Sequence, residues 1–307
     1  MIPSDSPYWK QARLLVEILP FMAEEECFAL KGGTAINFFV RDLPRLSVDI
    51  DLAYVPVGDF ETSRREIDAA LRRIMARLTG VSPRYDVTVG DNDRSAIIDT
   101  LNVRSRDTQV KIEVNPVIRG AIHAPQVAAV RPLVEEQIGF ARIRMLAFED
   151  LYAGKLVAAI DRQHPRDLFD AGVLFENEGF TDALFRAFIV YLVGHKGTLA
   201  DTLNPDRKPL DGLFRGQFES MANRAVSLKQ LEETRETLIK AIHARLGARE
   251  KRFLLSVKRR APEWGLLGLE AAAELPAVKW KLYNLSRMDN AAHQRAVNRL
   301  ARLLDEI

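Results

Sequence analysis

The sequence predicts a mixed α/β (α+β) fold, with a small mixed sheet and its covering helices first and a helical region after it. Three observations carry this. Between residues 28 and 54 the apolar pattern changes period twice, reading as strand, glycine turn, short helix, loop and strand. Residues 108–118 alternate cleanly, with Val110, Ile112 and Val114 on one side and Lys111, Glu113 and Asn115 on the other. From residue 148 onward helical spacing dominates.

Taken in order, residues 8–29 read as a helix beside the first strand, with Leu14, Leu15, Ile18 and Leu19 as its apolar stripe. The apolar run of the first strand ends at Lys31, Gly32 and Gly33 make the turn, and residues 35–40 are helix-like. Strict alternation starts at Ser47. Residues 57–78 form a charged amphipathic helix, and strands are expected at 84–89, 95–105 and 108–118, with an edge strand at 143–145. A helix over 148–161 is broken by residues 162–164, and Pro165 is placed in the first turn of the next. Residues 198–216, rich in Pro, Asp and Gly, read as a linker or exposed loop. A boundary near Gly179 divides a first domain, 1–178, from a helical C-terminal domain, 179–307.

The 307 residues suffice for two domains, and 47% hydrophobic with 28% charged residues suits a chain with a real core rather than a disordered one. A single cysteine, Cys27, permits no internal disulfide and reads as a buried, inert thiol. No long apolar run follows a basic start, so a cytoplasmic protein without membrane insertion is expected. The net charge of +2 hides an asymmetry: residues 205–307 hold 20 Lys and Arg against 13 Asp and Glu, so the remainder is acidic. The densest basic stretch contains Arg249, Lys251, Arg252, Lys258, Arg259 and Arg260; charge alone fits a solvated helix face as well as a nucleic-acid contact.

The chemistry is concentrated in Gly32, Gly33 and Thr34, followed fifteen residues after Thr34 by Asp49-Ile50-Asp51. Two glycines let main-chain N–H groups close around a triphosphate, and Thr34 adds a hydroxyl at the helix start. On a strand, Asp49 and Asp51 share one face with Ser47 while Ile50 and Leu52 face the core. Two carboxylates aimed together call for a cation. Mg²⁺, or Mn²⁺ in its place, fits because it takes oxygen ligands from one or two carboxylates and from substrate phosphates. Glu113 is the candidate third acid, sharing the metal or taking a proton, and otherwise a plain solvent-facing side chain. Lys155 is the one charged residue between Asp150 and Asp161; it either snorkels to the surface or sits over phosphate oxygens. His164 reads as a loop or cap residue. No GxxxxGK[ST] segment, zinc spacing or Ser-His-Asp signature is present.

KGGTAINFF, RLSVDIDL, KIEVNP and LAFEDLYAGKLVAAIDRQHPRDLFD resemble the motifs of the AbiEii/AbiGii toxin family, the MenT-like nucleotidyltransferases of type IV toxin–antitoxin systems. That family belongs to the polymerase-beta-like superfamily, and the C-terminal residues 253–289 are similar to the tail of its longer members. The resemblance implies a nucleotidyltransferase core and Mg²⁺-dependent transfer of an NMP from an NTP to an acceptor hydroxyl. In the relatives that act on RNA, the acceptor is the 3′ end of tRNA, which then cannot be aminoacylated. It further implies metal ligation by Asp49, Asp51 and Glu113, nucleotide binding by Gly32, Gly33, Thr34, Ser47 and Lys155, and a cognate antitoxin as partner. Asp167 would fix Lys155 or the nucleotide, with Asp170 as a weaker choice, and the basic stretch would contact RNA. Two alternatives stay open: NMP transfer to a protein or small molecule, and a non-catalytic RNA- or partner-binding module on the same fold.

Overall fold

The computed structural model describes residues 6–90 and 97–307. The chain runs α1 (Pro7–Ala23), β1 (Phe28–Lys31), α2 (Gly32–Thr34, passing into a π-helical turn Ala35–Val40), β2 (Asp49–Tyr54), α3 (Phe60–Val81) and β3 (Asp86–Val89). There follow β4 (Thr100–Ser105), β5 (Thr108–Val114), β6 (Gln126–Ala129), α4 (Pro132–Gln137) and β7 (Arg142–Met145). The helical remainder comprises α5 (Phe148–Arg162), α6 (Pro165–Asn177), α7 (Asp182–Gly194), α8 (Leu199–Leu203), α9 (Asp211–Gln217), α10 (Leu228–Arg245), α11 (Ala248–Lys258), α12 (Pro276–Ser286) and α13 (Asn290–Glu306).

These elements form two compact units. The first holds residues 1–151 and 219–225, the second 152–218 and 226–307. The division falls inside α5 instead of near Gly179, because the turns of α5 after Leu151 are packed with the later helices.

In the first unit seven strands make one mixed sheet in the order β3-β4-β5-β2-β1-β7-β6. β1 runs antiparallel to β2, β2 parallel to β5, and β1 parallel to β7. Helix α1 packs on β5 and β7, and α3 on β3 and β4. Ser6 caps α1 through a bond from the Trp9 N–H, and Leu14, Leu15, Ile18 and Leu19 are all buried, as their spacing predicts. The sheet supplies Ile50, Leu52, Leu101, Val103, Val110 and Ile112 to the same core, each fully buried.

Several expectations change at their edges. Helix α1 stops at Ala23 because residues 28–31 are needed as β1, the strand between β2 and β7. The strand at 142–145 is internal; the edge is β6, whose short, exposed Gln126–Ala129 carries little apolar signal. Of the strand expected over 95–105, residues 95 and 96 lie outside the described residues, and β4 begins at Thr100. Residues 198–216 are not simply a loop: α8 and α9 bury Leu199, Leu203 and Phe214, and Thr198 caps α8. Among the described residues no helix is long and apolar enough to cross a membrane.

Candidate active site

β1 ends at Lys31, and Gly32 turns the chain with φ +74°, a left-handed conformation that favours glycine. The turn is pressed against β2. A Cβ at Gly32 would collide with Oδ2 of Asp51 and stand 3.1 Å from its Cβ and Cγ. At Gly33 a Cβ would meet the Arg45 guanidinium at 2.9 Å and Ser47 Oγ at 3.0 Å. Both glycines therefore answer to close approach of the acid-bearing segment. The Asn37 side-chain amide donates to the Gly33 carbonyl at 2.9 Å and fixes the far side of the turn.

Strand register gathers the acids. Asp51 lies opposite Lys31 on β1 and opposite Glu113 on β5, while Asp49 lies opposite Lys111. Facing residues share a sheet face, so three carboxylates and two ammonium groups stand together on it. Asp49 and Glu113 are exposed, Asp51 is half-buried, and the intervening Ile50 and Ile112 are buried, as the alternation predicts. Glu113 pairs with Lys111. The bond that Lys111 donates to Glu113 holds the Lys111 pKa above its ordinary value against some loss from burial, and the charges of Glu113, Asp49 and Asp51 add to it. Lys111 thus feels all three acids.

Thr34 and Ser47 occupy a different place from the one their hydroxyls suggest. Both are buried; Thr34 Oγ1 donates to the Asp49 carbonyl at 2.6 Å and sits 2.9 Å from Ser47 Oγ. They fasten the glycine turn to the start of β2. Behind them Arg45 is buried, bonded to the Leu46 carbonyl and bridged to Ala222. The late segment 219–225 reinforces this: the Leu46 N–H donates to the Met221 carbonyl and the Asn223 N–H to the Pro44 carbonyl. Sequence reasoning gave Arg45 no role of its own and missed the late segment entirely, because nothing local marks a return of the chain from residue 219. Lys111 was visible on the correct face, and its pairing with Glu113 required the register.

Asp49 and Asp51 offer hard oxygen donors beside the glycine turn, which is the donor chemistry of Mg²⁺. Glu113 is turned to Lys111, and among the described residues no three His, Cys, Asp or Glu side chains converge to hold an ion. The residues therefore fit a divalent cation held by two carboxylates and completed by substrate phosphate oxygens, with Glu113 outside that set.

Lys155, Asp167 and Asp170 belong to the second unit. All three are buried, and Lys155 Nζ lies 2.7 Å from Asp167 and 3.0 Å from Asp170. Arg162 pairs with the other oxygen of Asp167 at 2.8 Å. Asp170 thus holds Lys155 alongside Asp167, since three residues apart on α6 they share a helix face. His164 caps α6, its Nδ1 accepting from the Arg166 N–H at 3.1 Å.

The basic stretch on and after α11 is not one solvated face. Lys258 is buried, Lys251 donates to the carbonyl of Ile307, Arg252 pairs with Glu263, and Arg260 donates to the Met288 carbonyl. Arg249 and Arg259 are exposed. A further buried carboxylate, Asp150, accepts from the N–H groups of Ile122 and His123 and pins the loop after β5.

The profile of the nucleotidyl transferase AbiEii toxin family, type IV toxin–antitoxin system, matches residues 13–282. The chain belongs to this family. The AbiEii match spans both units and includes the glycine turn, the acids and the Lys155 cluster. Among solved structures the chain is similar to MenT4, a nucleotidyltransferase toxin from Mycobacterium tuberculosis H37Rv, with a TM-score of 0.61 at 14% identity over 97% of this chain and 93% of that one. The likeness shows the fold. No curated protein matches.

Proposed function

We propose that this AbiEii family member transfers an NMP from an NTP to the 3′-terminal hydroxyl of an RNA, with tRNA as the acceptor, so that aminoacylation and translation stop. The observation that supports the reading is the close approach of the left-handed Gly32 to the Asp51 carboxylate, the backbone and the oxygens to which this reading assigns phosphate and metal.

In this reading the N–H groups of Gly32 and Gly33 bind the phosphates. Asp49 and Asp51 hold the divalent cation, Mg²⁺ or Mn²⁺, which when bound polarises phosphoryl oxygens and screens the charge of the triphosphate. Thr34 and Ser47 position the turn instead of touching substrate. Glu113, its charge shared with Lys111, accepts the proton of the attacking hydroxyl at a carboxylate oxygen. The acceptor oxygen bonds to the α-phosphorus as the bond to pyrophosphate breaks. Lys155, held by Asp167 and Asp170, is the residue that the family's Lys motif assigns to the triphosphate. A protein antitoxin is the expected partner in the cell.

The test incubates the protein with total tRNA, or with a cytosolic protein pool, and each labelled NTP in turn. Label at the tRNA 3′ end with the parent chain, and loss of about a hundredfold or more in Asp51→Asn, is the expected result. Label in the protein pool alone, or undiminished transfer by Asp51→Asn, overturns it.

A further inference from the structure

Helix α12 presents an outer stripe that none of the chemistry above uses. Trp280, Tyr283, Asn284 and Arg287 follow at positions i, i+3, i+4 and i+7, and all four are exposed. Trp280 is 55% and Tyr283 52% exposed, among the largest apolar exposures of the chain. Their rings stack, with centroids 5.6 Å apart and planes 21° apart. The aliphatic residues Val278 and Leu285 face inward and are buried.

Arg287 brings an exposed cation to the stripe, in a region, residues 205–307, that holds 20 Lys and Arg against 13 Asp and Glu. Of its neighbours, Lys279 pairs with Glu274 at 2.6 Å and Lys281 donates to the Gly197 carbonyl. The basic run meets this end of the helix, since Arg260 donates to the carbonyl of Met288. Burial pulls the Lys281 pKa down to about 8, with a smaller contribution from the charge of the neighbouring Lys258.

We propose that the outer face of α12 is a docking surface for an unpaired RNA segment, with bases stacking on Trp280 and Tyr283 and phosphates on Arg287. The inference rests on the RNA-acceptor reading and gives it a surface. Flat aromatic faces, a side-chain amide and a guanidinium are what stacking, base-edge hydrogen bonding and phosphate contact require.

The experiment titrates the full chain with a short unpaired oligoribonucleotide and with total tRNA, following Trp fluorescence and anisotropy, and separately measures binding of Mg-NTP. Trp280 is the exposed tryptophan of the three, since Trp9 is buried and Trp264 half-buried. Expected are quenching on addition of RNA, about a five- to hundredfold weaker RNA affinity in the Trp280→Ala/Tyr283→Ala variant, unchanged Mg-NTP binding, and near-parental RNA affinity in Trp280→Phe. Arg287→Gln is expected to reduce the salt dependence of RNA binding. If the parent binds RNA and the double variant binds it equally well, this surface is wrong and the acceptor reading stands. If the parent binds Mg-NTP and no RNA, both fall. Concentration-dependent self-association that the double variant loses, with RNA affinity unchanged, would assign the face to a second copy of the chain and overturn the proposal.

Discussion

Gly32 and Gly33 do separate work although they are neighbours in sequence. Gly32 needs both a left-handed backbone and the absence of a Cβ, whereas Gly33 has ordinary geometry and leaves room for Arg45 and Ser47. Gly32→Ala is expected to lose transfer activity and to lower stability by at least about 1–2 kcal/mol from backbone strain, before the collision with Asp51 is counted. Urea unfolding of the variant beside its NMP transfer checks this. Gly33→Ala meets the flexible end of Arg45 and should be the milder change. At this scale alternation put Asp49 with Asp51 on one strand face and Glu113 with Lys111 on another, and the register of β2 against β5 puts the two pairs together. What could not be read was which hydroxyls face inward, because Thr34 and Ser47 find their partners across the turn and not along the chain.

At the scale of elements, α5 and α6 are tied by the buried Lys155, Asp167 and Asp170, with the exposed Arg162 pairing with Asp167 from outside. Removing the Lys155 ammonium leaves two buried carboxylates without it, so Lys155→Met is expected to cost about 3–5 kcal/mol. The thermal midpoint of that variant measures the loss, and any fall in transfer must be compared with it. The cap of α6 gives a pH dependence. Burial holds the His164 pKa below its ordinary value of 6.5, the bond to Gln217 acting the other way. The unfolded chain therefore takes the proton first. The contribution of this group is complete above about pH 6.5 and is lost as the pH falls below it, since a protonated Nδ1 cannot accept from Arg166. Thermal midpoints taken from pH 7 to pH 5 should fall less steeply in His164→Asn, which keeps a capping oxygen that does not titrate. The sequence showed α6 and its cap through Pro165. It hid β6, whose exposed residues give no period, and α8, too short to establish one.

For the whole molecule, the division inside α5 and the return of residues 219–225 to the first unit change what a fragment can do. A chain cut after residue 178 divides the second unit and removes the segment that bonds to Pro44 and Leu46 beside Arg45. Such a fragment is expected to unfold at a lower temperature than the full chain and to lack NMP transfer, measured by circular dichroism and labelled NTP. Composition and helical spacing located the change of character along the chain but not this return, which depends on pairing between residues far apart in sequence. The late segment also bears on synthesis. A ribosome releases the glycines and acids early, yet the loop that carries Arg45 lacks its clasp until residue 225 has emerged. On the proposed reading, the nascent chain is expected to gain transfer activity only after residue 225 has left the ribosome, late in its own synthesis.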